Sequence, residues 1–174
     1  DEKTKTQYVD RLLEEIEREA ENYREYRVVS VFFGGGTPSV LKTEDTARIM
    51  AALKEHFTIM KTAEITSEMN PKTADYTKLK MYKEMGFNRL SIGLQSTVDE
   101  ELKTLGRIHD YEDFLKAYKN ARKAGFQNIN VDIMSTLPGQ TLESYRKTLK
   151  RVMELAPQHI SAYSLILEEG TPFF

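Results

Sequence analysis

Four polar side chains follow or end predicted strands, where together they could bind a small charged ligand. Glu68 lies in the predicted strand EITSEM, and Gln95 ends the segment SIGLQ. Asp132 lies within the apolar run 129–134, and Arg107 stands in the segment LGRIHD. Carboxylates bind amines and hydroxyls, a guanidinium clamps a carboxylate, and an amide both donates and accepts. Because chemistry in parallel β/α folds collects at the carboxyl ends of strands, we expect these side chains to share one site.

Each of these side chains also has a purely structural interpretation. Glu68 could be an exposed edge carboxylate, or it could pair with Arg89 or Arg107. Gln95 could cap a helix or complete a turn. Asp132 needs a partner inside its apolar strand, so an ion pair is the alternative to a functional role. Arg107 could be an ordinary surface arginine.

Other reactive side chains form no recognisable catalytic or metal-binding pattern. His109 could act as a general base, or it could cap the helix that follows beside Asp110. Tyr163 could simply pack inside a barrel. The histidines at 56, 109 and 159 lack the spacing of metal ligands, and the sequence contains neither GxSxG nor a phosphate-binding GxxxxGK[ST] loop.

A glycine-rich loop follows the first predicted strand. The apolar segment Val28–Phe33 runs into Gly34, Gly35 and Gly36, and then into Thr37 and Pro38. Glycine allows positive φ angles and leaves no Cβ in the way of a ligand. Proline removes an N–H group and restricts the residue before it. The alternative is a tight turn between strand and helix, but three glycines favour contact with a ligand.

Helices and strands alternate along the whole chain. Helical spacing and capping residues predict helices over 4–26, 43–57, 73 or 75 to 85, 99–105, 110–124 and 141–155. Apolar or alternating runs predict strands over 28–33, 64–69, 89–94, 128–134 and 159–167. This alternation predicts parallel βαβ units, and the equivalent MGFNR and AGFQN corners favour a partial (β/α) barrel with five strands.

Composition excludes several classes of protein. The 174 residues fit one domain, and the net charge of −2 gives no basic surface for nucleic acid. No apolar run reaches the length of a transmembrane segment, and no signal peptide is visible. The absence of cysteine excludes disulfides and thiolate-held metal in this chain. We therefore expect an intracellular, cytoplasmic protein.

Six motifs, in this order, resemble one family: GGGTPS, EMNP, RLSIGLQS, LGRIHD, VDIMSTLPGQT and SAYSLILEEGTP. They are similar to those of the radical SAM proteins related to oxygen-independent coproporphyrinogen III oxidase, and above all to its haem-chaperone-type branch. The resemblance runs from about Tyr8 to Phe174. It implies a partial (β/α)6 TIM-like barrel, incomplete here, that binds S-adenosylmethionine. Residues Gly35, Gly36 and Thr37 resemble the loop that binds the methionine amino group.

The resemblance also implies roles for the four polar side chains. Glu68 resembles the carboxylate that contacts the methionine moiety or the ribose, and Gln95 the partner of the ribose hydroxyls. Arg107 resembles the arginine that pairs with the methionine carboxylate, and Asp132 a further acid of the cofactor pocket. The family's 4Fe–4S cluster needs three cysteines that this chain lacks. We therefore expect residues 1–174 to be the barrel core of a longer protein, without the cluster loop and C-terminal domain, and inactive alone.

Three functions remain open from the sequence. The complete protein could be a radical SAM oxidoreductase acting on a porphyrinogen. It could instead be a chaperone that binds haem and delivers it to apo-proteins without oxidase activity. An unrelated β/α scaffold without a cofactor is the third. Porphyrinogen or haem is the small-molecule partner that the resemblance implies, and neither nucleic acid nor a membrane span is expected.

Overall fold

The protein is described from a computed structural model that covers residues 1–170 and Phe173, so Thr171, Pro172 and Phe174 lie outside the described residues. Thr171 and Pro172 end the last of the six motifs. One parallel sheet contains β1 (Arg27–Phe33), β2 (Thr58–Met69), β3 (Arg89–Gln95), β4 (Asn128–Ser135) and β5 (His159–Ser164), in that order. The helices are α1 (Glu2–Ala20), α2 (Thr43–His56), α3 (Tyr76–Met85), α4 (Asp99–Thr104), α5 (Tyr111–Lys123) and α6 (Leu142–Glu154).

The sheet has an outer face that packs against helices and an inner face that carries polar groups. Apolar side chains of β3 and β4 are fully buried on the outer face, where they pack with helix residues such as Phe114. These strand residues are Leu90, Ile92, Ile129, Val131 and Ile133. Successive side chains of a strand point to opposite sides, so the residues between these face the other way. We call that side the inner face; it carries Phe32, Thr66, Glu68, Arg89, Ser91, Asn130, Asp132, Ser161 and Tyr163. The five parallel strands form a half-barrel, which confirms the predicted fold class.

Several of the predicted helix boundaries coincide with capping residues that the structure shows. Asp75 caps α3 by accepting from the Lys78 N–H group, and Gly86 ends it with a φ of +105°. Asp110 and Thr141 begin α5 and α6 with reciprocal capping boxes. These local hydrogen bonds satisfy the free N–H groups of a first helical turn, which is why they could be predicted from sequence.

Three boundaries differ from the sequence expectation by more than two residues. The first helix ends at Ala20 instead of 26, because the exposed residues that follow form a short 3₁₀ turn, Glu21–Tyr23, with no apolar face to bury. Strand β2 begins at Thr58 instead of 64, because its first residues pair with the start of β1 through an irregular register. Strand β5 ends at Ser164 instead of 167, where its partner β4 also ends. No described helix has the length and apolar character to cross a membrane.

Candidate functional site

A polar hollow of about 220 Å³ opens at the carboxyl ends of the strands. We call it the polar hollow; its lining comes from the ends of β1 to β5 and consists of Gly36, Thr37, Glu68, Met69, Asn70, Ser91, Gly93, Gln95, Arg107, Asp132 and Tyr163. Six of the seven predicted site residues therefore lie together. The seventh, Gly35, lines a separate apolar cavity beside α1 and α2.

Asp132 is held in place by neutral hydrogen-bond donors. The Ser91 hydroxyl donates to Oδ2 at 3.0 Å, and the Asn130 amide donates to Oδ1 at 2.7 Å. Asn130 is itself oriented, because its Oδ1 accepts from Ser161 at 3.1 Å. Within the described residues no lysine or arginine pairs with Asp132, so the ion-pair interpretation is wrong there. The carboxylate keeps its charge available for a ligand.

Glu68 and Arg107 face the same hollow without pairing with each other. Glu68 is half-buried, and Arg107 is exposed just after α4. In the part of the chain that the structure describes, neither side chain has an oppositely charged group within 4.0 Å. Arg89, the other partner considered for Glu68, lies nearest to Glu64 instead. The hollow therefore holds an uncommitted carboxylate and an uncommitted guanidinium.

Gln95 takes an unusual backbone conformation at the end of β3. Its φ is +72°, and the pairing of β3 with β4 shifts register between Gly93 and Gln95. A non-glycine residue with positive φ is strained, and such strain concentrates at functional sites. A Cβ at Gly93 would lie 3.0 Å from the Gln95 amide nitrogen. Gln95 caps no helix, since Val98 precedes α4 as its N-cap.

Tyr163 completes the wall of the hollow beside Gln95. Its hydroxyl donates to Gln95 Oε1 at 3.0 Å. Burial raises the pKa of this phenol, and the nearby charges of Asp132 and Glu68 raise it further. The hydrogen bond to Gln95 and the charge of Arg107 lower the pKa, but the net shift is upward. Tyr163 therefore stays neutral and fixes the Gln95 amide, which is a more specific role than packing.

The glycine loop has the backbone that its sequence predicts. Gly35 and Gly36 have φ angles of +79° and +59°, a region that residues with a Cβ rarely adopt. Downstream, Ser39 Oγ accepts from the Asn70 N–H group at 3.1 Å. Lys78 donates to the carbonyl groups of Ser39 and Leu41. The loop is thereby tied to the end of β2 and to α3.

Sequence reasoning missed the residues that support the site. Asn130 was not singled out, although Asn128, Asn130 and Asp132 alternate with fully buried apolar residues along β4 and so share the inner face. This alternation is the signal that could have found it. His109 lies outside the lining of the hollow, and its Nε2 donates to the Leu94 carbonyl at 3.2 Å. It does not cap α5, because Asp110 does.

The hollow can bind a ligand that is both charged and rich in hydroxyl groups. Two carboxylates accept hydrogen bonds from an ammonium group or hydroxyls, and a guanidinium pairs with a carboxylate. The Gln95 amide nitrogen adds a neutral donor. A zwitterionic amino acid joined to a ribose presents all of these groups, so the residues present fit S-adenosylmethionine. The sequence has no cysteine and so provides no thiolate for an iron–sulfur cluster.

Comparisons with known proteins agree with this fit. A sequence model of the radical SAM superfamily matches residues 2–152. The heme chaperone HemW of Buchnera aphidicola subsp. Schizaphis graminum is 38% identical over 168 residues, which cover 97% of this chain and 44% of that protein. HemW of Escherichia coli is 37% identical over 166 residues, which cover 95% of this chain and 44% of that protein.

A solved structure has the same fold. Coproporphyrinogen III oxidase (HemN) from Escherichia coli, described as a radical SAM enzyme, superposes with a TM-score of 0.89 at 35% identity, covering 95% of this chain and 38% of that one. The chain thus spans less than half the length of these relatives. The superfamily match covers most of the sequence, and the chain belongs to the radical SAM superfamily.

Proposed function

We propose that the chain binds S-adenosylmethionine in the polar hollow and is the barrel core of a radical SAM protein that binds and delivers haem. The observation that carries the first part is the meeting of Glu68, Gln95, Arg107 and Asp132 in one hollow. The second part is supported by the relatives named heme chaperone HemW.

Each group has a defined task in this proposal. Arg107 pairs with the methionine carboxylate, and carbonyl oxygens of the loop at Gly36 and Thr37 accept hydrogen bonds from the methionine amino group. Glu68 and Gln95 bind the ribose hydroxyls or the methionine moiety. Asp132 supplies a further charged acceptor, held by its neighbours. S-adenosylmethionine beside a reduced 4Fe–4S cluster would supply radical chemistry, but the sequence has no cysteine that could hold such a cluster.

Calorimetric titration of the chain with S-adenosylmethionine tests the first part. Glu68→Ala and Asp132→Ala should each weaken binding by more than about 1 kcal/mol, the scale of a lost charged hydrogen bond. Glu55→Ala, an exposed change on α2, is the matched control and should bind as the wild type does. Unchanged affinity in both hollow variants would contradict the proposed site.

A second candidate function is the oxidation of a porphyrinogen, which the HemN structure favours. Assays on a form of the protein that spans the length of the relatives would distinguish porphyrinogen oxidation from haem delivery. Turnover of coproporphyrinogen would exclude a function limited to haem delivery. Tight haem binding without turnover would exclude the oxidase.

A further inference from the structure

One buried asparagine on the inner face controls the hydrogen bonds of the Asp132 carboxylate. Asn130 is 2% exposed, and its amide nitrogen donates at 2.7 Å both to Asp132 Oδ1 and to Ser91 Oγ. Because the Ser91 hydroxyl oxygen accepts one of these bonds, its own proton goes to Asp132 Oδ2, at 3.0 Å. Both carboxylate oxygens thus receive a donor through Asn130, one directly and one by way of Ser91.

The direction of the Asn130 amide is fixed by its two neighbouring strands. Its Oδ1 accepts from the Ser161 hydroxyl of β5 at 3.1 Å. A rotated amide would turn the carbonyl oxygen towards the Asp132 carboxylate, where two acceptors would repel each other. The hydrogen bonds therefore run in one direction only, from Ser161 to Asn130 and from Asn130 to Asp132.

These donors hold the carboxylate without cancelling its charge. Serine and asparagine are neutral, and in the described part of the chain no lysine or arginine forms an ion pair with Asp132 within 4.0 Å. The charged groups that line the polar hollow are the carboxylates of Glu68 and Asp132 and the guanidinium of Arg107, while Tyr163 adds no charge. Two negative groups and one positive group leave a single negative charge in excess, so the hollow favours a ligand with a positive charge in excess.

S-adenosylmethionine has such an excess, because its ammonium and sulfonium groups outnumber its single carboxylate. S-adenosylhomocysteine has the same amino acid, ribose and adenine, but a neutral thioether replaces the sulfonium. The two ligands therefore differ by one positive charge, which is the charge that the hollow leaves without a partner. Comparing them isolates this charge from every other contact.

We propose that Asn130 is a positioning residue that gives the hollow its preference for a sulfonium ligand over the matching thioether. This inference rests on the proposed binding of S-adenosylmethionine and names the feature of the ligand that is selected. Asn130 does not line the hollow, so it acts through Asp132. Without the amide, the Asp132 carboxylate is free to turn to Arg107, the one cation of the lining, and the excess charge is lost.

Calorimetric titration of the chain with each of the two ligands tests this preference. The wild-type chain should bind S-adenosylmethionine about tenfold more tightly than S-adenosylhomocysteine. Asn130→Leu removes both donors and should bring the ratio of the two affinities close to one. Ser161→Ala removes only the bond that orients the Asn130 amide and should lower the ratio in part. Asn128→Leu, the same change two positions earlier on the same face of β4, is the control and should keep the wild-type ratio.

The ratio distinguishes positioning from folding, because a general loss of structure would weaken the binding of both ligands alike. A wild-type ratio in Asn130→Leu would overturn the role of Asn130 and leave the binding of S-adenosylmethionine intact. If Asn130→Leu does not fold, a wild-type ratio in Ser161→Ala overturns it instead. Equal affinities of the wild-type chain for both ligands would overturn the preference alone, whereas binding of neither ligand would overturn the proposed function as well.

Discussion

His109 is a buried histidine that stays neutral. It is 3% exposed, its Nε2 donates to the Leu94 carbonyl, and its Nδ1 has no hydrogen-bond partner among the described residues. Burial lowers the pKa of this imidazole below its ordinary value of 6.5, and the charge of Arg107 lowers it further. The Leu94 carbonyl and nearby aspartates act in the opposite direction. The net result is a group that resists protonation in the folded protein.

This resistance makes the stability depend on pH. In the unfolded chain His109 takes up a proton near pH 6.5, whereas the folded chain keeps it neutral to lower pH. The contribution to stability is therefore complete above pH 6.5 and is lost as the pH falls below it. His109→Gln can still donate to the Leu94 carbonyl. Urea unfolding should show that this variant loses less unfolding free energy than the wild type between about pH 7.5 and 5.5. Equal losses in this variant and the wild type would contradict the assignment, and His56→Gln is the control.

Two loop glycines make it possible to distinguish the cost of backbone strain from the loss of ligand contact. Gly36 and Gly139 both have positive φ, at +59° and +77°, and a Cβ at either would meet no atom within 4 Å. Alanine should therefore cost about 1 kcal/mol of unfolding free energy at each position through backbone strain alone. Only Gly36 lines the polar hollow, so only Gly36→Ala should also weaken binding of S-adenosylmethionine in calorimetry. Equal affinities in the two variants would argue against a role of this loop in binding.

Glu101 joins the segments that follow β3 and β4. It is 5% exposed and accepts from Ser96 at 2.6 Å, from Ser144 at 2.5 Å and from Gln140 at 3.1 Å. No cation pairs with it among the described residues. Three neutral donors thus satisfy one buried carboxylate, and through it they fix the start of α4 relative to the start of α6.

Removing this carboxylate should destabilise the fold. Glu101→Ala removes the acceptor of the buried Ser96 hydroxyl and of the half-buried Ser144 and Gln140 side chains, so we expect a loss of about 2 kcal/mol of unfolding free energy. Glu100→Ala, the exposed neighbour on the same helix, should change it by no more than about 0.5 kcal/mol. Chemical denaturation measures both. If Glu101→Ala lost little unfolding free energy, water would have replaced the carboxylate as the acceptor.

Local signals made most elements predictable, and long-range contacts explain what was missed. The caps at Asp75 and Thr141 are short-range hydrogen bonds, so the sequence reveals them. The early start of β2 depends on pairing with β1, which no local pattern shows. The contact between Tyr163 and Gln95 joins residues 68 positions apart. The seven candidate residues came from the family resemblance together with strand ends, while their supporting contacts needed the three-dimensional structure.

The described residues form an open half-barrel, and neither edge strand has a further strand partner among them. Strand β1 pairs only with β2, and β5 only with β4, among the strands of the described residues. Exposed apolar side chains lie on or beside these edges, among them Val29 on β1 and Ile166 after β5. Free N–H and C=O groups along such an edge can pair with another chain.

We therefore expect the chain to self-associate as its concentration rises, because edge pairing buries both the free backbone groups and Val29. Val29→Lys places a charge on the β1 edge and should shift sedimentation-velocity profiles towards the monomer. Met153→Lys adds the same charge at an equally exposed apolar residue, but on the helix α6, and should leave the association unchanged. A wild-type chain that stays monomeric at high concentration would show that the edges are protected, and an equal effect of both lysines would point to net charge instead of strand pairing.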